Sequence, residues 1–109
     1  MSCIFCAIAA GDIPADVVHA SDRVVAFRDL KPVAPVHVLV IPREHYENVV
    51  DLAADAETMT DVMAAVAEVG AELDGGFRVV FNTGPDGGQE VGHVHAHVLG
   101  GRRMEWPPG

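Results

Sequence analysis

The segment Gly92-His-Val-His-Ala-His-Val-Leu99 carries a histidine at every second position. In an extended strand, successive side chains point to opposite faces, so alternate residues share a face about 7 Å apart. This spacing predicts that His93, His95 and His97 lie on one face of a strand while the apolar residues between them face a core. A half-buried strand ordinarily has Thr, Ser or Lys at such positions, so three imidazoles in register indicate a functional surface.

The composition predicts one globular domain spanning residues 1–109, with half of the residues apolar and 21% charged. A net charge of -9 with only seven scattered basic residues argues against a nucleic-acid-binding protein. No stretch approaches the ~20 apolar residues that span a bilayer, so we expect no membrane segment. The apolar run at residues 3–10 follows no basic residue, so we expect no signal peptide and a cytoplasmic location.

Outside the histidine segment, hydrophobic patterns and turn residues mark the remaining elements. They are a short helix at 3–10, a hairpin at 17–20 and 24–27, strands at 36–41 and 77–81, and a long amphipathic helix from Asp55 to Gly75-Gly76. Strands joined by hairpins, with one long helix and no repeating βαβ rhythm, predict an antiparallel α+β fold.

Two further features suggest chemistry. The loop at 82–92 is rich in glycine, which lets backbone N–H groups converge on phosphate oxygens, although a plain hairpin connection has the same composition. Cys3 and Cys6 form a C-x-x-C pair. In a reducing compartment this pair favours metal binding or redox chemistry over a structural disulfide.

The histidine pattern resembles the signature of the histidine triad (HIT) family, and other motifs resemble its Hint branch, the purine nucleoside phosphoramidases. These motifs are Ile13-Pro14, residues 26–30, residues 37–42, Asp86-Gly-Gly-Gln89 and the closing Trp-Pro-Pro-Gly109. The resemblance covers nearly the whole chain. It implies the HIT-like fold, an antiparallel five-stranded sheet with one long helix and a short N-terminal helix.

The same resemblance implies the catalytic residues. His95 would attack the α-phosphorus of a nucleoside 5'-phosphoramidate or aminoacyl adenylate and form a covalent nucleotidyl-histidine that water then hydrolyses. His97 would donate to the phosphate or to the leaving group. His93 and His37 would form a proton relay. No metal is required for this step.

A purine nucleotide site also follows from the resemblance. Asp29 would accept both ribose hydroxyls. The base would lie among Ile4, Phe5, Ile8, Ile13, Phe27, Leu30 and Leu39, although ordinary core packing accounts for the same residues. The phosphate would contact Asn82, Gly88, Gln89, Glu90 and Val91 together with His95 and His97. Many relatives have a small hydroxyl residue at the position of Glu90, so we expect its carboxylate to face solvent.

A metal site is implied as well. Bacterial relatives with this C-x-x-C pair and a Pro-x-x-His motif, here ending at His45, hold zinc, so Cys3, Cys6, His45 and His93 would form a closed structural site. Two small half-buried cysteines without metal remain the alternative. His93 is therefore contested between the zinc site and the relay with His37.

The family resemblance further implies a homodimer, and the exposed aromatic Trp106 in the tail favours this prediction. Three alternative functions stay open: a dinucleoside polyphosphate hydrolase, a non-catalytic nucleotide-binding module and a structural zinc module. We expect His19 to be a surface residue without a role.

Overall fold

The computed structural model describes residues 3–109, which form an antiparallel five-stranded sheet with strand order β1-β2-β3-β5-β4. The strands are β1 (Val17–Ala20), β2 (Val24–Arg28), β3 (Val36–Pro42), β4 (Phe77–Val80) and β5 (Ala96–Gly100). The helices are α1 (Ile4–Ala10), α2 (Val49–Ala53) and α3 (Ala56–Gly70). The predicted α+β class, the five-stranded antiparallel sheet and both predicted helices are confirmed. Within residues 3–109, no helix is long and apolar enough to cross a membrane.

The two faces of the sheet pack against different helices. One face forms the main core with α2 and α3, and its buried residues include Val24, Ala26, Val38, Val40, Ala96, Val98, Val62 and Val66. On the opposite face, Val25, Phe27, Leu39 and Ile41 form a smaller cluster with Phe5 of α1. The period of two along β3 and β5 sends apolar residues to both faces and leaves His37 and His97 at the side of the smaller cluster. His95 lies on the same side, where it contacts Phe5.

Local signals account for the helix starts. Asp55 accepts a hydrogen bond from the Thr58 N–H at 3.1 Å and caps α3, as its position before the apolar period predicts. Gly11 closes α1 in the left-handed region, with a φ of 82°. The hairpin of β1 and β2 and the strand at 36–42 follow the predicted positions.

Two boundary predictions were wrong, and one helix was missed. The long helix ends at Gly70 rather than at Gly75-Gly76, and the chain reaches β4 through turns. Gly70 leaves room for the Phe77 ring, which a side chain there would overlap. Leu73 still packs on the core, but from the turn after the helix. The unpredicted helix α2 is a single short turn whose start is capped by Asn48.

The histidine segment also differs from its prediction, because β5 begins only at Ala96. His93 and His95 therefore precede the strand, and only His97 belongs to it. The cause is a contact with a distant part of the chain: the Val94 N–H donates to the Tyr46 carbonyl at 2.7 Å, outside the sheet. This contact separates the chain at His93 from the strand ladder. The apolar side chains between the histidines do face the main core, as predicted.

Candidate active site

Three imidazoles meet beside the middle of the sheet. The ring centroids of His95 and His97 lie 4.9 Å apart, and those of His37 and His97 lie 5.1 Å apart. The pairing of β3 with β5 brings His37 to this place, since it lies opposite Leu99 in the register. His37 is 6% exposed, whereas His95 and His97 are half-buried. A ligand can therefore reach the last two rings but not His37.

Hydrogen bonds fix the tautomers of His37 and His97 when both rings are neutral. The backbone N–H of Val33 can only donate, and it donates to His37 Nδ1 at 3.1 Å. The proton of His37 is therefore on Nε2, which donates to His97 Nδ1 at 2.8 Å. His97 must then carry its own proton on Nε2. The pair ends in an N–H donor at His97.

His95 has the opposite arrangement. Its Nδ1 lies 2.8 Å from the carbonyl oxygen of His93, which can only accept, so Nδ1 carries the proton. The lone pair of neutral His95 is consequently on Nε2. The Phe5 ring packs edge-on against the imidazole, with centroids 5.1 Å apart, and limits its rotation. Neighbouring rings thus offer a nucleophilic nitrogen at His95 and a proton donor at His97.

Burial favours the neutral form of His37 and His97 through their pKa values. It lowers the pKa of His97 to about 4, with smaller contributions from the neighbouring His95 and His37. Burial also lowers the pKa of His37, against the attraction of Asp29. The Asp29 carboxylate has one oxygen 3.5 Å from His37 Nε2, and the other accepts from the Lys31 N–H at 2.8 Å. Neutral rings are the form in which His97 Nδ1 can accept the hydrogen bond from His37 Nε2.

An apolar cavity of about 220 Å³ lies next to the histidines, between α1 and the sheet. Its lining includes all seven residues predicted for the base: Ile4, Phe5, Ile8, Ile13, Phe27, Leu30 and Leu39. Phe5 and Phe27 meet edge-to-face with centroids 5.6 Å apart. Asp29 belongs to the same wall, and Leu30 is 94% exposed at its rim. A flat aromatic ligand beside a polar group would suit this shape.

The glycine-rich loop is closed by one amide side chain. The Oε1 atom of Gln89 accepts from the Gly84 N–H at 3.1 Å, and its Nε2 donates to the carbonyls of Glu47 and Val91. Asn82 donates to the Gly87 carbonyl at 2.7 Å. Gly88 has a φ of 77°, where glycine is favoured. These bonds fix the loop that ends just before the histidine segment.

The two remaining loop residues predicted for the phosphate differ in their exposure to solvent. Glu90 is exposed, whereas Val91 is half-buried against the smaller cluster. His19, expected to be a surface residue without a role, is half-buried and lies 3.3 Å from a Glu68 carboxylate oxygen.

A second group of side chains lies at the other end of the histidine segment. Cys3, Cys6, His45 and His93 each offer one donor atom, and these four atoms lie within 4.8 Å of one another. His93 Nδ1 is 3.4 Å from Cys3 Sγ and 3.5 Å from Cys6 Sγ, and His45 Nδ1 is 3.4 Å from Cys6 Sγ. The structure therefore brings together all four residues predicted for the metal.

The protonation pattern of these donors fits a metal ion. His93 Nε2 donates to the Pro42 carbonyl at 2.9 Å, and His45 Nε2 donates to Glu47 at 3.2 Å. Both Nδ1 lone pairs consequently face the thiols, as metal ligands require. Two sulfur and two nitrogen donors are a set typical of tetrahedral zinc. Asp29, His37 and His97 also lie within 4.8 Å, but there the Nδ1 lone pair of His97 already accepts from His37.

The contacts of His93 and His37 are separate, although both were predicted for one relay. Each nitrogen of His93 faces the metal-site thiols or Pro42, and the nitrogens of His37 face Val33 and His97. Three contributors were missed from the sequence: the Val33 N–H, the Pro42 carbonyl and Glu47. Two of them are backbone atoms, for which side-chain patterns contain no signal. Glu47 could have been found from its spacing, two residues after a predicted ligand.

Comparisons with known proteins agree with this geometry. Residues 10–104 match the model of the family described as HIT domain. A HIT family hydrolase from Legionella pneumophila has a solved structure with a TM-score of 0.94 and 45% identity, covering 99% of this chain and 100% of that one. The 14 kDa zinc-binding protein of Zea mays is 44% identical over 97% of this chain and 87% of its own length. Adenylylsulfatase HINT1 of Arabidopsis thaliana is 42% identical over 97% of this chain and 76% of its own length.

Proposed function

Because this chain belongs to the HIT domain family, we propose that it hydrolyses purine nucleoside 5'-phosphoramidates or aminoacyl adenylates and releases the nucleoside monophosphate. The observation that carries the proposal is the pair of complementary tautomers: a free lone pair on His95 Nε2 beside an N–H donor on His97 Nε2. Displacement at phosphorus by an imidazole needs both a nucleophile and a donor that stabilises the developing charge.

The reaction has two displacements. His95 Nε2 attacks the α-phosphorus and the N–P bond to the enzyme forms. The P–N bond of a phosphoramidate breaks and the amine takes up a solvent proton as it leaves, or the P–O bond of an aminoacyl adenylate breaks and the carboxylate leaves. Water then attacks the same phosphorus and gives a proton back to solvent, the bond to His95 breaks, and the monophosphate is released. The donor on His97 Nε2 contacts the phosphate or the leaving group in both steps. His37 keeps His97 in the tautomer that donates.

The nucleoside would occupy the apolar cavity. The purine would pack against Phe5 and Phe27, and the carboxylate of Asp29 would accept from the ribose hydroxyls. The backbone of the loop at 82–91 would contact the phosphate, with Asn82, Gly88, Gln89, Glu90 and Val91 contributing. The volume of about 220 Å³ is on the scale of a single base.

Turnover of a fluorogenic adenosine phosphoramidate tests the proposal. We expect wild-type protein to hydrolyse it and His95→Ala to lose at least about 10⁴-fold in kcat while still binding AMP. The control His19→Ala should keep its activity. Tight AMP binding without turnover in wild type would instead indicate a non-catalytic nucleotide-binding module. Adenylyl sulfate and a dinucleoside polyphosphate, assayed in parallel, would identify the preferred leaving group.

We further propose that Cys3, Cys6, His45 and His93 hold one structural zinc ion. When bound, zinc would fasten α1 and the loop after β3 to the histidine segment. The mutual distances and the protonation pattern of the four donors support this assignment. Elemental analysis should find about one zinc per chain. A metal-free protein with undiminished thermal stability would contradict the assignment.

We propose a homodimer as the working form. The edge strand β4 begins with the exposed Phe77, and Trp106 in the tail is 80% exposed, so both are available to a second copy. Sedimentation velocity should give twice the monomer mass, and a monomer at micromolar concentration would exclude this proposal. Two free thiols grouped with histidines are typical of a reducing compartment, so we propose the cytoplasm.

A further inference from the structure

The short segment 43–47, which follows β3, contacts both the glycine-rich loop and the metal group, which is the set of Cys3, Cys6, His45 and His93. His45 belongs to the metal group, and the Tyr46 carbonyl accepts from the Val94 N–H between the first two histidines of the triad. The next residue, Glu47, contacts the metal group with its side chain and the loop with its backbone. This segment is therefore a physical connection between two sites that lie at different places in the sequence.

The contacts of Glu47 differ in kind at its two ends. Its carboxylate accepts from His45 Nε2 at 3.2 Å, and the Nδ1 of the same ring lies 3.4 Å from Cys6 Sγ. A carboxylate in this place fixes the orientation of a metal-binding imidazole and increases its basicity. The side chain of Glu47 is 65% exposed, so this hydrogen bond is a main constraint on its position.

The backbone of Glu47 anchors the loop. Its carbonyl accepts from Nε2 of Gln89, the residue whose Oε1 accepts from the Gly84 N–H. The same carboxylate packs against the backbone before His93: a Cβ on Gly92 would lie 2.8 Å from Glu47 Oε2. Gly92 thus leaves the space that the glutamate occupies. A shift of Glu47 would be transmitted to Gln89 and to the start of the histidine segment.

We infer that Glu47 is a positioning residue that couples metal binding at Cys3, Cys6, His45 and His93 to the order of the glycine-rich loop. With metal bound, His45 is fixed and holds Glu47, and Glu47 holds Gln89 and the loop. Without metal, His45 is released and the loop loses this support. The inference rests on the proposed function for one point, that the loop contacts the phosphate of a nucleotide. Metal binding should then strengthen nucleotide binding.

Hydrogen exchange tests the coupling without any assay of activity. In wild-type protein, we expect the Gly84 amide to exchange about tenfold faster after zinc is removed with a chelator, while circular dichroism verifies that the chain stays folded. In Glu47→Ala, first saturated with zinc and then treated with the chelator, the increase in Gly84 exchange should fall below about twofold. Glu47→Gln keeps an oxygen that accepts from His45 and should recover part of the response. Glu44→Ala removes the same charge from the same segment and should respond as wild type does.

Two binding measurements complete the test. Competition with a chromophoric chelator should show that Glu47→Ala binds zinc about 10–100-fold more weakly, with Glu44→Ala unchanged. Calorimetry should show AMP binding at least about fivefold tighter to zinc-loaded than to metal-free wild type. A Gly84 amide that exchanges equally with and without zinc, or a full zinc response in Glu47→Ala, would overturn the inference. Wild-type protein that binds no AMP in either state would overturn the proposed function, and the exchange data would still decide the role of Glu47.

Discussion

His93 and His97 lie four residues apart in one segment, and their surroundings assign them to different chemistry. His93 is fully buried, and both of its nitrogens face fixed partners, the thiols on one side and the Pro42 carbonyl on the other. His97 is half-buried, and only its Nδ1 has a partner, His37. Burial lowers the pKa of both rings. Both rings therefore favour the neutral form. They differ in that His97 has a nitrogen, Nε2, without a protein partner among the described residues, whereas both nitrogens of His93 have partners.

The comparison shows that strand spacing alone does not determine the role of a histidine. The role depends on which nitrogen is occupied by a partner that can only accept or only donate. For His93 and His95 that partner is a carbonyl, and for His37 it is the Val33 N–H. The partners of His93 and His37 come from the end of β3 and from the turn before it, far from the histidine segment in sequence, whereas the partner of His95 lies within that segment. Changing either end separately tests whether the two sites are independent.

The largest effect should follow substitution at the buried end. His93→Ala removes a fully buried ring, its bond to Pro42 and a metal ligand, and we expect the free energy of unfolding to fall by about 3 kcal/mol or more. Zinc stoichiometry should fall as well. Urea denaturation and elemental analysis measure the two losses. His45→Ala, whose ring is more exposed, should lose zinc with little loss of metal-free stability. If the two metal-free variants were equally stable, His93 would not stabilise the fold more than His45 does.

At the other end, His37→Phe should reduce turnover rather than stability. Phenylalanine fills a similar buried volume but cannot donate to His97 Nδ1, so the tautomer of His97 is no longer fixed. We expect kcat to fall by about 100-fold with AMP affinity nearly unchanged. The control is His19→Phe, an equivalent change at a ring outside the histidine group. A variant with full kcat would show that His37 does not hold His97 in its donating form.

The sequence predicted that the histidine segment serves two sites, but it did not predict the contacts that separate them. The alternation of apolar residues and histidines was sufficient to place Val94, Ala96 and Val98 in the core and to predict the sheet. The residues of the apolar cavity and of the metal group also came from motifs. The start of β5 at Ala96 could not be predicted, because it depends on a hydrogen bond from Val94 to the backbone of Tyr46. Backbone partners of this kind exist only in the folded chain.

Acid should lower the free energy of unfolding through protonation of His97. The pKa of His97 is lowered to about 4 from its ordinary value of 6.5, so between these values the unfolded chain binds more protons than the folded chain. The stability is therefore complete above pH 6.5 and decreases as the pH falls towards 4, by on the order of 2 kcal/mol since water screens the half-buried ring. Urea denaturation of wild type and His97→Asn across this range measures the difference. Identical pH slopes would show that His97 is not buried neutral.

The smallest effect should come from Glu90, which lies on the loop and is exposed. A carboxylate facing a bound phosphate would repel it, and its replacement by serine would then strengthen substrate binding strongly. A carboxylate in solvent is screened and contributes little, so Glu90→Ser should improve KM by less than about tenfold. The measurement is KM for the adenosine phosphoramidate at low and at physiological salt, with Asp86→Ser as the control for removal of a loop charge. An improvement beyond tenfold that disappears at high salt would place the Glu90 carboxylate next to the phosphate and contradict the solvent-facing assignment.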